Sequence, residues 1–168
     1  MSAIINGLKA GLVVGLIAGL IGGALQVVGS IPILGMCICL VTPVTWLFMW
    51  FLFPFAAGIL AAMFAKSELR SFVDGAIGGL VGGIVYAILS WVIGFVVGIV
   101  LLIFWQVISI LLQAGGKLNI GNIIVSVISA FFMNIVGTLI GLGIVFVAGL
   151  FWGLVGGALY AMFVAKPK

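Results

Sequence analysis

The chain alternates long apolar runs with short polar breaks, and each run is apolar on all faces instead of alternating apolar and polar positions. The first run extends from Gly7 to about Val28 and ends at Gly29, Ser30 and Pro32, which make a turn. The second runs from about Ile33 to Ala65 and contains Pro43 and Pro54. A proline inside a helix removes a backbone donor and kinks the rod, so this run is expected to bend or to have a short first piece. KSELRS, Lys66 to Ser71, is the most charged stretch and belongs in water. Ser71 and Asp74 then stand at capping-box spacing, which starts a third helix. From Phe72 to Gln113 nothing polar enough for a loop appears, AGGKLN (Ala114 to Asn119) is a clear turn, and the last run goes from Ile120 to Ala165. A straight helix over 72–113 would measure about 60 Å, twice the ~30 Å hydrocarbon core of a bilayer. The pattern therefore predicts changes of direction, with Gly94 and Gly98 as hinges in the third run and Gly137 or Gly141 in the last.

Composition sets the solvent. The chain is 67% hydrophobic and 5% charged, whereas a soluble domain carries about 25% charged residues. An all-α integral membrane protein follows, because strands of a membrane barrel would alternate apolar and polar residues. In that setting the stretch GLKAGLVVGLIAGLIGG has a physical reading. It places Gly7, Gly11, Gly15, Gly19 and Gly23 on every fourth position. Glycine costs a water-exposed helix about 1 kcal/mol relative to alanine. In hydrocarbon the backbone must stay hydrogen-bonded regardless, so the row becomes a groove that lets another helix backbone approach closely. Gly75, Gly79 and Gly83 form a second such row, and Gly149, Gly153 and Gly157 a third. The pattern leaves open whether these seams pack within one chain or between chains.

An internal repeat organises the runs. NGLKAGLVVG, from Asn6, matches DGAIGGLVGG, from Asp74, at an offset of 68 residues, and GILAAMFAK, from Gly58, matches GALYAMFVAK, from Gly157, at an offset of 99. The expected fold is a duplicated transmembrane helical hairpin: residues 1–66 as the first, 67–71 as a charged cytoplasmic loop, and 72–168 as the second. The second carries an insertion at about 99–131, two apolar arms around AGGKLN. Gln106, Ser109 and Gln113 form a polar stripe on one arm, and Asn119, Asn122, Ser126 and Ser129 on the other. The arms are a re-entrant hairpin, an interfacial pair, or extensions of the third and fourth helices packed against a partner. Six shorter spanning helices are the alternative. With four, Lys9, Lys66, Arg70, Lys166 and Lys168 share one side, Lys117 being the exception, and the positive-inside rule makes that side the cytoplasm of a cell-membrane protein. Both counts put the N- and C-termini in the cytoplasm. No small-residue cleavage site follows the first helix, which is expected to stay on the protein.

Candidate chemistry is sparse. There is no histidine, and the two acids are Glu68 in the charged loop and Asp74 at a helix start, where a carboxylate acts as a cap. Cys37 and Cys39, in GMCICL, lack further ligands for a metal and read as apolar packing. No catalytic residue, metal site or cofactor site is expected, and the protein reads as a non-enzyme. Neutral polar residues inside the runs are Gln26, Thr42, Thr45, Ser90, Gln106 and Asn134, the usual material of interhelical hydrogen bonds. Trp46 and Trp50 lie four apart on one helix face, as do Phe51 and Phe55, which suggests a face turned to lipid or a partner. Trp91, Trp105 and Trp152 suit interface anchors. The net charge of +4, spread at membrane edges, orients the chain against anionic headgroups and does not suggest nucleic acid.

The tandem hairpins and glycine density resemble the proteolipid subunits of rotary ATPases. No Asp or Glu occurs inside any apolar run, however, and ion carriage in those subunits needs one there. FAAGILAAMFAK, DGAIGGLVGGIVYAI and GLFWGLVGGALYAMFVAK together resemble small glycine-rich multipass membrane proteins of archaeal type. That resemblance implies a helical membrane fold and carries no activity or site. The leading expectation is a protein that works by helix association, as an accessory or scaffolding subunit of a membrane complex or as a homo-oligomer, with membrane lipids and other membrane subunits as partners. The alternative is a small channel or carrier for an uncharged or small solute, with Gln106, Asn122 and Asn134 along a polar path or in interhelical contacts.

Overall fold

The computed structural model describes residues 2–29, 43–65, 71–113 and 120–164, with a set of side chains between 102 and 134 outside that description. Cys37, Cys39, Thr42, the KSELR charges, AGGKLN with Lys117, and the C-terminal Lys166 and Lys168 lie outside the described residues. Four helices make up the rest. They are α1 (Ser2–Gly29), α2 (Pro43–Phe64), α3 (Phe72–Gln113) and α4 (Ile120–Val164). Among the described residues these four are each long and apolar enough to cross a membrane. The third opens as its spacing predicts, the Asp74 N–H donating to the Ser71 hydroxyl at 3.3 Å.

Helix directions follow from which residues meet. Gly7 faces Gly78, Gly11 faces Gly82 and Gly23 faces Val97, so α1 and α3 run parallel. Gly75, Gly79 and Gly83 meet Gly157, Gly153 and Gly149 in reverse order, so α3 and α4 are antiparallel. The chain therefore runs up, down, up, down. The third helix packs on all the others, while α1 and α4 form opposite flanks. The buried apolar residues are mostly alanines, among them Ala10, Ala18, Ala57, Ala61, Ala87 and Ala161. Small side chains let backbones close together, and in lipid that close packing has to hold helices that no hydrophobic transfer drives together.

Two length expectations are corrected. Helix α3 continues unbroken through Gly94 and Gly98, and α4 through Gly137 and Gly141. Glycine loosens a helix only where water can take over the freed backbone groups, and in an apolar run the hydrogen-bonded helix is the sole low-energy form. The excess length instead extends the helices. The α1 seam ends where Gly23 meets Val97, and α3 runs on to Gln113 for about 24 Å more at 1.5 Å per residue. Residues 99–113 and 120–131 are helical, continuous with the rest of α3 and α4.

Pro54 acts locally on α2. The five residues before Phe53, Phe48–Leu52, form a π-helical turn, and the Phe53 N–H donates to the Phe48 carbonyl five residues back. A wider turn relieves the clash between a proline ring and the carbonyl four residues earlier. It also shifts the ladder. With the Phe53 N–H turned to Phe48 and none available at Pro54, the Met49 carbonyl loses its helical donor. The hydroxyl of Tyr86, on α3, donates to that carbonyl. Tyr86 and Pro54 are the largest fully buried side chains.

Candidate intramembrane binding cavity

The glycine rows lie at helix contacts within the chain. A Cβ on Gly7 would stand 2.5 Å from the Gly78 carbonyl oxygen, and one on Gly11 2.6 Å from that of Gly82. On α3 and α4 the glycines oppose each other in pairs: Gly75 with Gly157, Gly79 with Gly153, Gly83 with Gly149. A Cβ on Gly149 would be 2.5 Å from the Gly83 carbonyl oxygen, and one on Gly153 2.5 Å from that of Gly79. Gly58 and Gly156 bring α2 equally close to α4. Along α1 the contact passes from backbone to side chains but stays close, with Ile93 2.6 Å from a Cβ at Gly19 and Val97 3.1 Å from one at Gly23, whereas along α4 it fades toward Gly137. At Gly15 and Gly19 the nearest atoms belong to side chains, a Cβ at Gly22 would meet only the Met49 terminal methyl among the described atoms, and Cβ atoms at Gly137, Gly141 and Gly143 would meet none of them within 4 Å.

The bundle is thus a wedge: α4 is zipped to α3 at one end and its backbone stands off toward Gly137, while α1 follows α3 as far as Val97. The parted end holds an open cavity of about 570 Å³ bounded by all four helices. Helix α1 supplies Gly19, Gly22, Gly23 and Gln26, α2 supplies Thr45, Trp46, Met49 and Trp50, α3 supplies Tyr86, Ser90, Trp91, Gly94 and Phe95, and α4 supplies Gly137, Thr138 and Gly141. The Tyr86 to Met49 hydrogen bond ties α3 to α2 along the cavity wall. The Trp91 indole N–H donates to the Thr138 carbonyl at 2.8 Å and ties α3 to α4. The same indole stacks on Phe95, with centroids 5.5 Å apart and planes within 8°. Trp46 and Trp50 face each other at 4.6 Å.

Among the described residues the lining contains no Asp, Glu, Lys or Arg. Its polar groups are the Gln26 amide and the Thr45, Ser90 and Thr138 hydroxyls, the Tyr86 phenol behind them being fully buried on the Met49 carbonyl. The Ser90 hydroxyl donates to the Ala87 carbonyl, which leaves its oxygen to accept. A charged guest would find no countercharge here and would pay for desolvation. An uncharged aromatic or hydroxylated guest would meet rings, hydrogen-bonding oxygens and glycine surfaces. Beside this cavity lies a second hollow of about 380 Å³ between α1 and α2, lined by Ile21, Leu25, Val44, Thr45, Phe48, Met49, Leu52 and Phe53.

Gln26, Thr45 and Ser90, singled out in the sequence, are brought together at the cavity. The side chains of Gln106, Asn122 and Asn134 lie outside those described. Trp46 and Trp50 line the cavity instead of only facing outward, whereas Phe51 meets Trp152 at 4.9 Å and Phe55 lies against Gly156, so that face packs on α4. Sequence reasoning missed Tyr86, Met49 and Thr138. The one available signal was Pro54, which leaves a carbonyl three to five residues upstream in need of a donor. Comparison with family models, with curated proteins and with solved structures finds no match to this chain.

Proposed function

We propose that the protein is a non-enzymatic membrane protein that binds a small uncharged molecule in the cavity between its four helices, as a carrier or channel for such solutes does. The supporting observation is the wedge: glycine seams close one end of the bundle, and at the other α4 stands off around about 570 Å³ of space with aromatic walls and only neutral polar groups. Sites of this kind are mainly apolar with a few convergent polar groups. In this reading the two hairpins descend from one duplicated unit, which accounts for the sequence repeats and for α1 running parallel to α3. In this reading the zipped end and both termini face the cytoplasm across the cell membrane, an orientation that the positive-inside rule supports.

The test is saturable labelling. Purified protein in lipid nanodiscs is exposed to a benzyl alcohol bearing a photoreactive diazirine. Labelling that saturates, maps to the cavity walls and falls at least tenfold in Gly94→Phe is the expected result. Among the described atoms a Cβ at Gly94 meets only the Gln26 amide, at 3.8 Å, so the ring enters the cavity without disturbing a seam. Labelling that rises linearly with probe and is indifferent to the substitution would refute the reading.

A second reading, association as an accessory or scaffolding subunit or as a homo-oligomer, is favoured by the helix extensions. There Val100, Ile103, Phe104, Val125, Ile128 and Phe132 are all at least half exposed. The glycine seams no longer support this reading, because they are occupied within the chain.

A further inference from the structure

The two hollows share walls, and the division between them is specific. Leu25, Thr45 and Met49 line both. The cavity side carries the Gln26 amide, the Ser90 hydroxyl and the aromatic rings. Across Met49, the hollow between α1 and α2 presents only aliphatic and phenylalanine side chains, apart from the Thr45 side chain at the shared boundary. Its rim residues Ile21, Val44, Phe48 and Leu52 are each more than two-fifths exposed on the outer face of the bundle, where lipid would lie. Met49 is held at its backbone, since its carbonyl accepts from Tyr86, while its terminal methyl lies 3.1 Å from where a Gly22 Cβ would stand. An unbranched thioether on a fixed backbone changes rotamer easily, and opposite Gly22 there is no side chain to resist it.

From this arrangement, and resting on the cavity being a binding site as proposed above, we infer that the ligand is an uncharged amphiphile. Its compact hydrogen-bonding head occupies the cavity, and its single apolar chain lies in the hollow between α1 and α2, having entered sideways from the bilayer past Met49. Neutral head chemistry follows from a lining without charge. A chain follows from an adjoining compartment of about 380 Å³, separated from the cavity by the Met49 side chain, that offers a head almost nothing to bond. Lateral entry follows from the side on which that compartment meets lipid. Neutral glycerides and chain-bearing quinones share this chemistry, and the experiment separates them.

Three photoreactive probes are compared in nanodiscs on the full chain: the benzyl alcohol above, a monoacylglycerol with a diazirine midway along a ten-carbon chain, and the fatty acid anion with the same chain. The inference expects the monoacylglycerol to label the α1–α2 hollow saturably, at least tenfold more strongly than the anion. Ile21→Trp, which fills the hollow from an exposed position, should reduce that labelling at least tenfold and leave benzyl alcohol labelling within twofold. Val44→Trp repeats the test from the other wall, so that misfolding of one variant does not decide it. Competition by unlabelled monoacylglycerol but not by a decyl-substituted benzoquinone assigns a glyceride head, and the reverse assigns a quinone. Saturable benzyl alcohol labelling together with monoacylglycerol labelling that does not saturate or ignores both variants overturns the amphiphile while the cavity reading stands. Failure of both probes to saturate overturns both.

Discussion

A single methyl group distinguishes the two halves of this bundle. At Gly79 an added Cβ falls on the Gly153 carbonyl and lies 3.0 Å from the Gly157 Cα, all backbone atoms that move only if α4 moves. Gly79→Ala is therefore expected to destabilise the protein by about 2–3 kcal/mol, at the upper end of overpacking costs. At Gly143 an added Cβ would meet none of the described atoms within 4 Å. Gly143→Ala is expected to range from neutral to stabilising by about 0.5–1 kcal/mol, the usual gain from removing a mid-helix glycine. Unfolding midpoints in mild detergent check both, and equal effects at the two positions would mean that the seam is not the constraint described. The four-residue glycine spacing was legible in the sequence because it is a local, one-dimensional property. Which helix each seam would meet was not, since the spacing that marks Gly149, Gly153 and Gly157 as a row says nothing of the neighbour that fills it.

At the scale of the element, α2 shows how one residue can create a need that another helix meets. Pro54 announced an irregularity. The form it took, a π turn over Phe48–Leu52 with the Met49 carbonyl turned to Tyr86, depended on α3 arriving with a phenol at that height. Tyr86→Phe should cost about 1–2 kcal/mol, because it strips a buried carbonyl of its donor. In a Pro54→Ala background the residue at 54 regains an N–H and the ladder can return to α-helical pairing. The cost of Tyr86→Phe is then expected to fall by at least half, and a double-mutant cycle in detergent unfolding reads the coupling. Additive single effects would break the link between the proline and the tyrosine. The long helices carry the opposite lesson. Run length predicts hinges at Gly94 and Gly98 and at Gly137 or Gly141, yet α3 and α4 pass through all of these positions, because a break inside hydrocarbon has no solvent to satisfy it.

For the whole molecule, helix count and direction have measurable consequences. Four spans place residue 66, just beyond the end of α2, and residue 117, between α3 and α4, on opposite faces of the membrane; six spans would place them on the same face. With Cys37 and Cys39 replaced by alanine, a membrane-impermeant maleimide added to intact cells should label Lys117→Cys and spare Lys66→Cys until the cells are opened. Labelling of both, or of neither, in intact cells contradicts the four-helix arrangement. The exposed apolar extensions bear on association: native mass spectrometry of protein gently extracted from its own membranes should show other copies or other subunits if these surfaces are covered. A lone chain leaves the cavity as the sole basis for function.

The sequence by itself determined the solvent, the helical class and the small-residue seams, because each follows from composition or from spacing along one helix. The scarcity of charge leaves the lipid bilayer as solvent, the requirement for backbone pairing there leaves helices, and every-fourth-residue glycines define a groove whichever helix fills it. Only the tertiary structure decided that the seams close within one chain, that α4 is zipped to α3 at one end and not the other, and that Gln26, Thr45, Ser90, Tyr86 and Thr138 surround the space left open. These facts depend on which helices face each other and at what height. Residues 26, 45, 90 and 138 lie on four separate helices, and no pattern along the chain encodes their meeting.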